Sequence, residues 1–84
     1  MTQPKVSIII RTKNEERWIG HCLKRIHSQN YSNYEVILVD SYSEDNTVEK
    51  AKRNKIDKLI KVKNYKPGLA INEGIKCSDG EYVI

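Results

Sequence analysis

Two short aliphatic runs, Val6-Ser7-Ile8-Ile9-Ile10 and Val36-Ile37-Leu38-Val39, stand out from an otherwise polar chain. Runs of this kind, rich in β-branched residues and lacking strict alternation, read as strands covered on both faces, the pattern of a parallel sheet. Each run ends abruptly in hydrogen-bonding residues: Arg11-Thr12-Lys13-Asn14-Glu15-Glu16 after the first, Asp40-Ser41-Tyr42-Ser43-Glu44-Asp45 after the second. Ligands of open α/β sheets gather at the carboxyl ends of the strands. The two polar segments are therefore expected to build one site from two places in the sequence.

Between the runs, Trp18, Ile19, Cys22, Leu23 and Ile26 recur at helical spacing, which predicts a helix from about Glu15 to Gln29 with these five facing the core. Asn14 is the expected N-cap, with Glu15 and Glu16 suiting the dipole of the first turn. A second helix is predicted over Asp45 to Asn54, capped by Ser43, with Val48 and Ala51 inward and Ile56 packing at its end. Lys58 to Lys63 sets Leu59, Ile60 and Val62 among lysines, the signature of a guarded edge strand. A third helix is predicted from Gly68 to Cys77 with Ala70, Ile71, Gly74 and Ile75 inward, and Asp79-Gly80 turns the chain into a last strand at Glu81 to Ile84. Strand and helix alternate, so the expected fold is α/β: a small open parallel sheet of three to four strands with helices on both faces.

Length and charge sharpen this picture. The 84 residues make one domain at most, and 1–84 is read as a single partial domain, too small for a complete enzyme of this architecture. Cys22 and Cys77 both fall on apolar helix faces without a C-x-x-C spacing and are read as reduced core residues of a cytoplasmic protein. No signal peptide and no run of transmembrane length is found. Residues 50–66 carry eight basic side chains and one acid, Asp57, whereas the rest of the chain has seven basic against ten acidic. This segment offers a nucleic-acid-binding surface, with Tyr65 available to stack; a solvated helix face and a lysine-lined edge strand explain it as well.

Several chemistries are excluded. Neither G-x-G-x-x-G nor G-x-x-x-x-G-K-[ST] occurs, which removes dinucleotide dehydrogenases and P-loop enzymes. His21 and His27 are six apart, not the i, i+4 of a two-histidine metal site. A phosphorelay receiver needs acids after its first strand to hold magnesium, and this chain has Arg11-Thr12-Lys13 there. Two readings of Asp40 stay open: a carboxylate accepting hydrogen bonds from a base edge, with Arg11, Lys13 and Lys66 balancing a diphosphate, or a turn-capping side chain.

Four ordered blocks carry a resemblance: Ile8-Ile9-Ile10-Arg11-Thr12-Lys13-Asn14-Glu15-Glu16, Val39-Asp40-Ser41-Tyr42-Ser43-Glu44-Asp45-Asn46-Thr47, Pro67-Gly68-Leu69-Ala70-Ile71-Asn72-Glu73-Gly74-Ile75 and Gly80-Glu81-Tyr82-Val83-Ile84. Together they resemble the successive motifs of family 2 glycosyltransferases, and the resemblance covers essentially the whole chain. It implies the N-terminal, nucleotide-binding half of the Rossmann-like GT-A fold. In an inverting transferase of this kind an acceptor hydroxyl displaces a nucleoside diphosphate such as UDP from an activated sugar, here in bacterial surface polysaccharide synthesis. Thr12, Lys13 and Glu15 match loop positions that hold the nucleoside, Asp40 the aspartate that reads the base, and Lys66 a place where some relatives have a basic residue near base and diphosphate; Arg11, Asn14 and Ser41 are expected to join them in binding the nucleotide sugar, and Asn72 and Gly74 match the helix beneath the site. The chain departs from the family pattern at Arg11, where proline is usual, and at Ser41, where a second aspartate is common. The resemblance also implies that the Asp-x-Asp metal motif, the catalytic base and the acceptor-binding half lie beyond Ile84. No catalytic or metal-ligating residue is then expected here, a divalent metal (Mg2+ or Mn2+) belongs to the full-length enzyme, and the 84 residues alone are expected to be inactive. The implied location is cytoplasmic, peripheral at the inner membrane face, and the incomplete sheet offers a surface for self-association.

Overall fold

A computed structural model of the chain describes residues 4–63 together with 72, 75, 80, 82 and 83. The elements are β1 (Val6–Thr12), α1 (Ile19–His27), β2 (Tyr34–Asp40), α2 (Thr47–Arg53), β3 (Lys58–Lys61) and β4 (Tyr82–Val83). Every strand pair is parallel, in the order β3-β2-β1-β4. β1 and β2 run in register over seven residues, from Val6 opposite Tyr34 to Thr12 opposite Asp40.

The central place of β2 explains its composition. Val36, Ile37, Leu38 and Val39 are all fully buried, because strands flank β2 on both sides and apolar side chains cover both of its faces. On one face Val36 and Leu38 join Ile19 and Leu23 of α1, Ala51 of α2 and the partly buried Ile10, Ile26, Ile56 and Leu59. On the other, Ile37 and Val39 meet Val62, Ile9 and Ile60. Thus α1 and α2 share one face, as two successive right-handed crossovers running the same way along a sheet require. β1 is only half-buried at Ile8, Ile9 and Ile10, since β4 pairs with just Val6 and Ser7 among the described residues. β3 is the edge strand anticipated from its lysines.

The amino ends of the strands are tied by a buried polar network. Ser7, fully buried, donates to Glu35 Oε2 at 2.6 Å and accepts from the Gly80 amide at 2.8 Å. Glu35, itself buried, pairs with Lys58 at 3.1 Å. A Cβ at position 80 would lie 2.4 Å from Ser7 Oγ and 2.7 Å from Ser7 N, so glycine is required for this approach.

Several sequence expectations are corrected. α1 begins at Ile19 rather than Glu15 and ends at His27 rather than Gln29. Asn14 is not its N-cap: Asn14 has φ 53, and its side-chain oxygen accepts from the Glu44 amide at 2.8 Å. Trp18 occupies the cap position without a side-chain cap bond and is 63% exposed, and Cys22 is a free, exposed thiol. The apolar arc of the helix is wider than its contact with the sheet, which centres on Ile19, Leu23 and Ile26, so the Trp18 and Cys22 edge turns outward. α2 begins at Thr47, with Asn46 rather than Ser43 at the cap. Of the predicted third helix, positions 72 and 75 are helical and exposed, which places Ile75 outward; its other residues, including Cys77, lie outside those described.

Candidate functional site

The parallel register carries β1 and β2 to the same level, and their loops lock together there. Thr12 Oγ1 donates to Asp40 Oδ1 at 2.6 Å. Ser43 supplies two further donors to the same carboxyl, its amide to Oδ2 at 2.8 Å and its hydroxyl to Oδ1 at 2.6 Å. Asp40 is fully buried, and this pattern satisfies it while folding residues 40–43 into a tight turn. The turn-capping reading of Asp40 is therefore realised in the structure.

The first loop braces the second. Lys13 Nζ donates to the carbonyls of Ser41 at 2.9 Å and Tyr42 at 3.1 Å, and the Asn14 amide donates to Ser43 Oγ at 2.8 Å. The Glu15 amide donates to Thr47 Oγ1 at 2.8 Å and the Glu16 amide to Asp45 Oδ2 at 3.2 Å. Asp45 also receives the Thr47 amide at 3.0 Å and, through a short hydrogen bond, the Thr47 hydroxyl. Desolvation pushes the Asp45 carboxyl up, but these hydrogen bonds outweigh it and hold the group below its ordinary value.

Of the eight residues expected at the site, Thr12, Lys13, Asn14, Asp40 and Ser41 come together in this bonded cluster, and Glu15 joins it through its backbone. Arg11 is exposed at the end of β1, and together with Thr12, Glu15 and Trp18 it lines a hollow of about 150 Å3. Lys66 lies outside the described residues. Ser41 Oγ is buried without a hydrogen-bond partner, an arrangement that costs about 1–3 kcal/mol. Sequence reasoning passed over Ser43 as a ligand of Asp40, and it passed over Tyr42, which is 48% exposed with φ 48. The D-S-Y-S spacing could have signalled the first, because a serine three residues after an aspartate is placed to close such a turn.

The residues present do not fit a divalent metal: among the described residues no three His, Cys, Asp or Glu side chains converge, and the Asp40 carboxyl already has three donors. The basic segment is dispersed, with Lys50 on the Glu16 carbonyl and carboxyl, Lys58 on Glu35, and Lys61 over the Tyr42 ring.

The family model for glycosyl transferase family 2 matches residues 7–84. The chain belongs to that family. Among curated relatives, this family 2 chain is 38% identical over 87 residues to a dolichyl N-acetyl-α-D-glucosaminyl phosphate 3-β-D-2,3-diacetamido-2,3-dideoxy-β-D-glucuronosyltransferase of Methanococcus voltae, covering 94% of this chain and 27% of that protein. Among solved structures it resembles the mannosyltransferase PcManGT from Pyrobaculum calidifontis in complex with GDP-Man and Mn2+, with a TM-score of 0.88, 28% identity, and coverage of 99% of this chain and 27% of the other. It also resembles residues 1–349 of S. aureus TarS in complex with UDP, with a TM-score of 0.82, 31% identity, and coverage of 95% and 26%. These neighbours are GT-A glycosyltransferases, and the fold is the small open parallel α/β sheet anticipated from the sequence. The chain spans about a quarter of the length of these relatives.

Proposed function

We propose that this chain is the nucleotide-sugar-binding part of an inverting glycosyltransferase that moves a sugar from a nucleoside diphosphate to an acceptor hydroxyl in surface polysaccharide synthesis. The observation that carries the reading is the bonded pair of loops at the carboxyl ends of β1 and β2, where Asp40 and Lys13 are both fixed before any ligand arrives. Support comes from the neighbours, whose structures hold GDP-Man and UDP.

In this reading Thr12, Asn14 and Glu15 wall the nucleoside, and Asp40 offers its carboxyl to a base N–H. Ser41 Oγ gains in the ligand the partner it lacks. Lys13 uses its ammonium on two carbonyls and keeps a third N–H for a phosphate oxygen, with Arg11 and Lys66 adding charge. In the reaction the acceptor oxygen forms a bond to the anomeric carbon as the bond from that carbon to the diphosphate oxygen breaks. The electron pair leaves with the nucleotide, and the acceptor proton passes to a base supplied outside the described residues. Mg2+ or Mn2+, held by ligands also outside them, would neutralise the departing diphosphate. In this reading the site works on the cytoplasmic side, peripheral at the inner membrane face; no helix among the described residues is long and apolar enough to cross a membrane.

Titration of the 15N-labelled chain with UDP and with GDP tests the reading. Amide shifts clustered at residues 11–15 and 40–43 are expected, with millimolar affinity and no sugar transfer. Shifts elsewhere with none in these loops would overturn it.

A further inference from the structure

Tyr42 combines a left-handed backbone with an exposed ring. Its φ of 48 lies in the left-handed region, where glycine and asparagine sit freely and a large side chain is strained. The strain is not offset by burial, since Tyr42 is 48% exposed, one of three large hydrophobic side chains left in solvent among the described residues. The backbone around it is over-determined: Lys13 Nζ holds the Tyr42 carbonyl, and both bonds from Ser43 to Asp40 close the turn on its far side. The turn itself would form at least as well with glycine at this position. A strained, exposed ring two residues past Asp40 points to a role for the ring.

We propose that Tyr42 is the stacking platform for the nucleobase, a binding residue beside Asp40; the proposal rests on the nucleotide-binding reading above. Lys61, in register with Asp40 at the end of β3, sets its ammonium 5.6 Å from the ring centroid and occupies one face. The other face receives a base. Stacking tolerates any base because each presents a π-face. Recognition is thus divided between two residues. Tyr42 retains any base-bearing ligand over a bare diphosphate, and the Asp40 carboxyl chooses among bases by their edge donors. The braced turn holds the ring in place beforehand, which lowers the ordering cost of binding.

The test compares the wild-type chain with Tyr42→Asn, which tolerates the left-handed backbone, and Tyr42→Phe, which keeps a ring, each titrated with UDP, GDP and inorganic pyrophosphate. Dispersed amide spectra establish that each variant is folded. Both nucleotides should move the Tyr42 ring protons upfield in the wild type. Tyr42→Asn should bind them about tenfold more weakly with pyrophosphate affinity unchanged, and Tyr42→Phe should match the wild type. Loop shifts with equal nucleotide affinity in wild type and Tyr42→Asn would overturn the role of Tyr42 and leave the nucleotide site standing. Absence of loop shifts with either nucleotide in the wild type would overturn both.

Discussion

The two ends of the sheet are built from the same couple. At the amino end the Ser7 hydroxyl donates to Glu35, at the carboxyl end the Thr12 hydroxyl donates to Asp40; both bonds measure 2.6 Å, both join residues that lie opposite in the β1–β2 register, and both acids are buried. What differs is how each couple is completed. Glu35 is closed by Lys58 and by the Gly80 amide on Ser7, so strands and their connections complete this couple. Asp40 is completed by a loop, next to a left-handed Tyr42 and an unpartnered Ser41 hydroxyl. One hydroxyl–carboxyl motif is therefore a fastening where strands finish it and, in the function proposed here, a receptor where a loop does.

The contrast is sharpest at the amino end. Replacing Glu35 with Ala removes the acceptor of the Ser7 hydroxyl and the carboxylate paired with Lys58; because Lys58 is about one-third exposed, the expected loss is about 2–3 kcal/mol rather than the full value for a buried pair, read as a lower urea midpoint. Gly80→Ala drives a methyl against Ser7 backbone and hydroxyl and should cost about 1–3 kcal/mol, with loss of hydrogen-exchange protection at Ser7 and Val83. Neither change should alter the loop amides at residues 40–43.

At the carboxyl end the order of effects reverses. Asp40→Asn should cost only about 1 kcal/mol, since the amide oxygen still accepts from Thr12 or Ser43, yet it should abolish UDP-induced shifts. An Asp40 variant as destabilised as the Glu35 variant, or one that still binds UDP, would erase the distinction between the ends. The smallest effect belongs to Asp45, whose pKa lies below its ordinary 3.8. The unfolded chain then takes up this proton at a higher pH than the folded one, so the stabilisation is present above pH ~4 and fades as the pH falls through the folded value. Asp45→Asn should flatten that part of the acid titration of stability.

Much of this was legible in the chain itself. The continuous run in β2 requires cover on both faces, and the lysines around Leu59 and Ile60 require an edge, so strand type and order of burial could be read directly. Helix starts could not. Asn14 has the composition of a cap, but a cap is decided by which amide reaches the side chain, and Asn14 turns to the Glu44 amide across 30 residues. Trp18 and Cys22 satisfied the helical period, which states that residues share a face without stating how much of that face the sheet covers. At the site, Thr12, Lys13, Asn14, Asp40 and Ser41 were legible as neighbours, whereas Ser43 and Tyr42 were not. Residue type also left open that Asp40 would already accept three hydrogen bonds from Thr12 and Ser43, which depends on where the two hydroxyls and the Ser43 amide sit.

The seven-residue β1–β2 register also acts as a ruler. Ser7 and Thr12 are separated by the same interval as Glu35 and Asp40, and the odd interval places the two couples on opposite faces of the sheet. A residue inserted or deleted inside either strand lets at most one couple form, whereas the same change within residues 13–33 leaves both strands their matching lengths. Length variation among natural relatives should therefore collect in the crossover and avoid the strands, and a deletion scan of expressed, folded chain should reproduce that boundary.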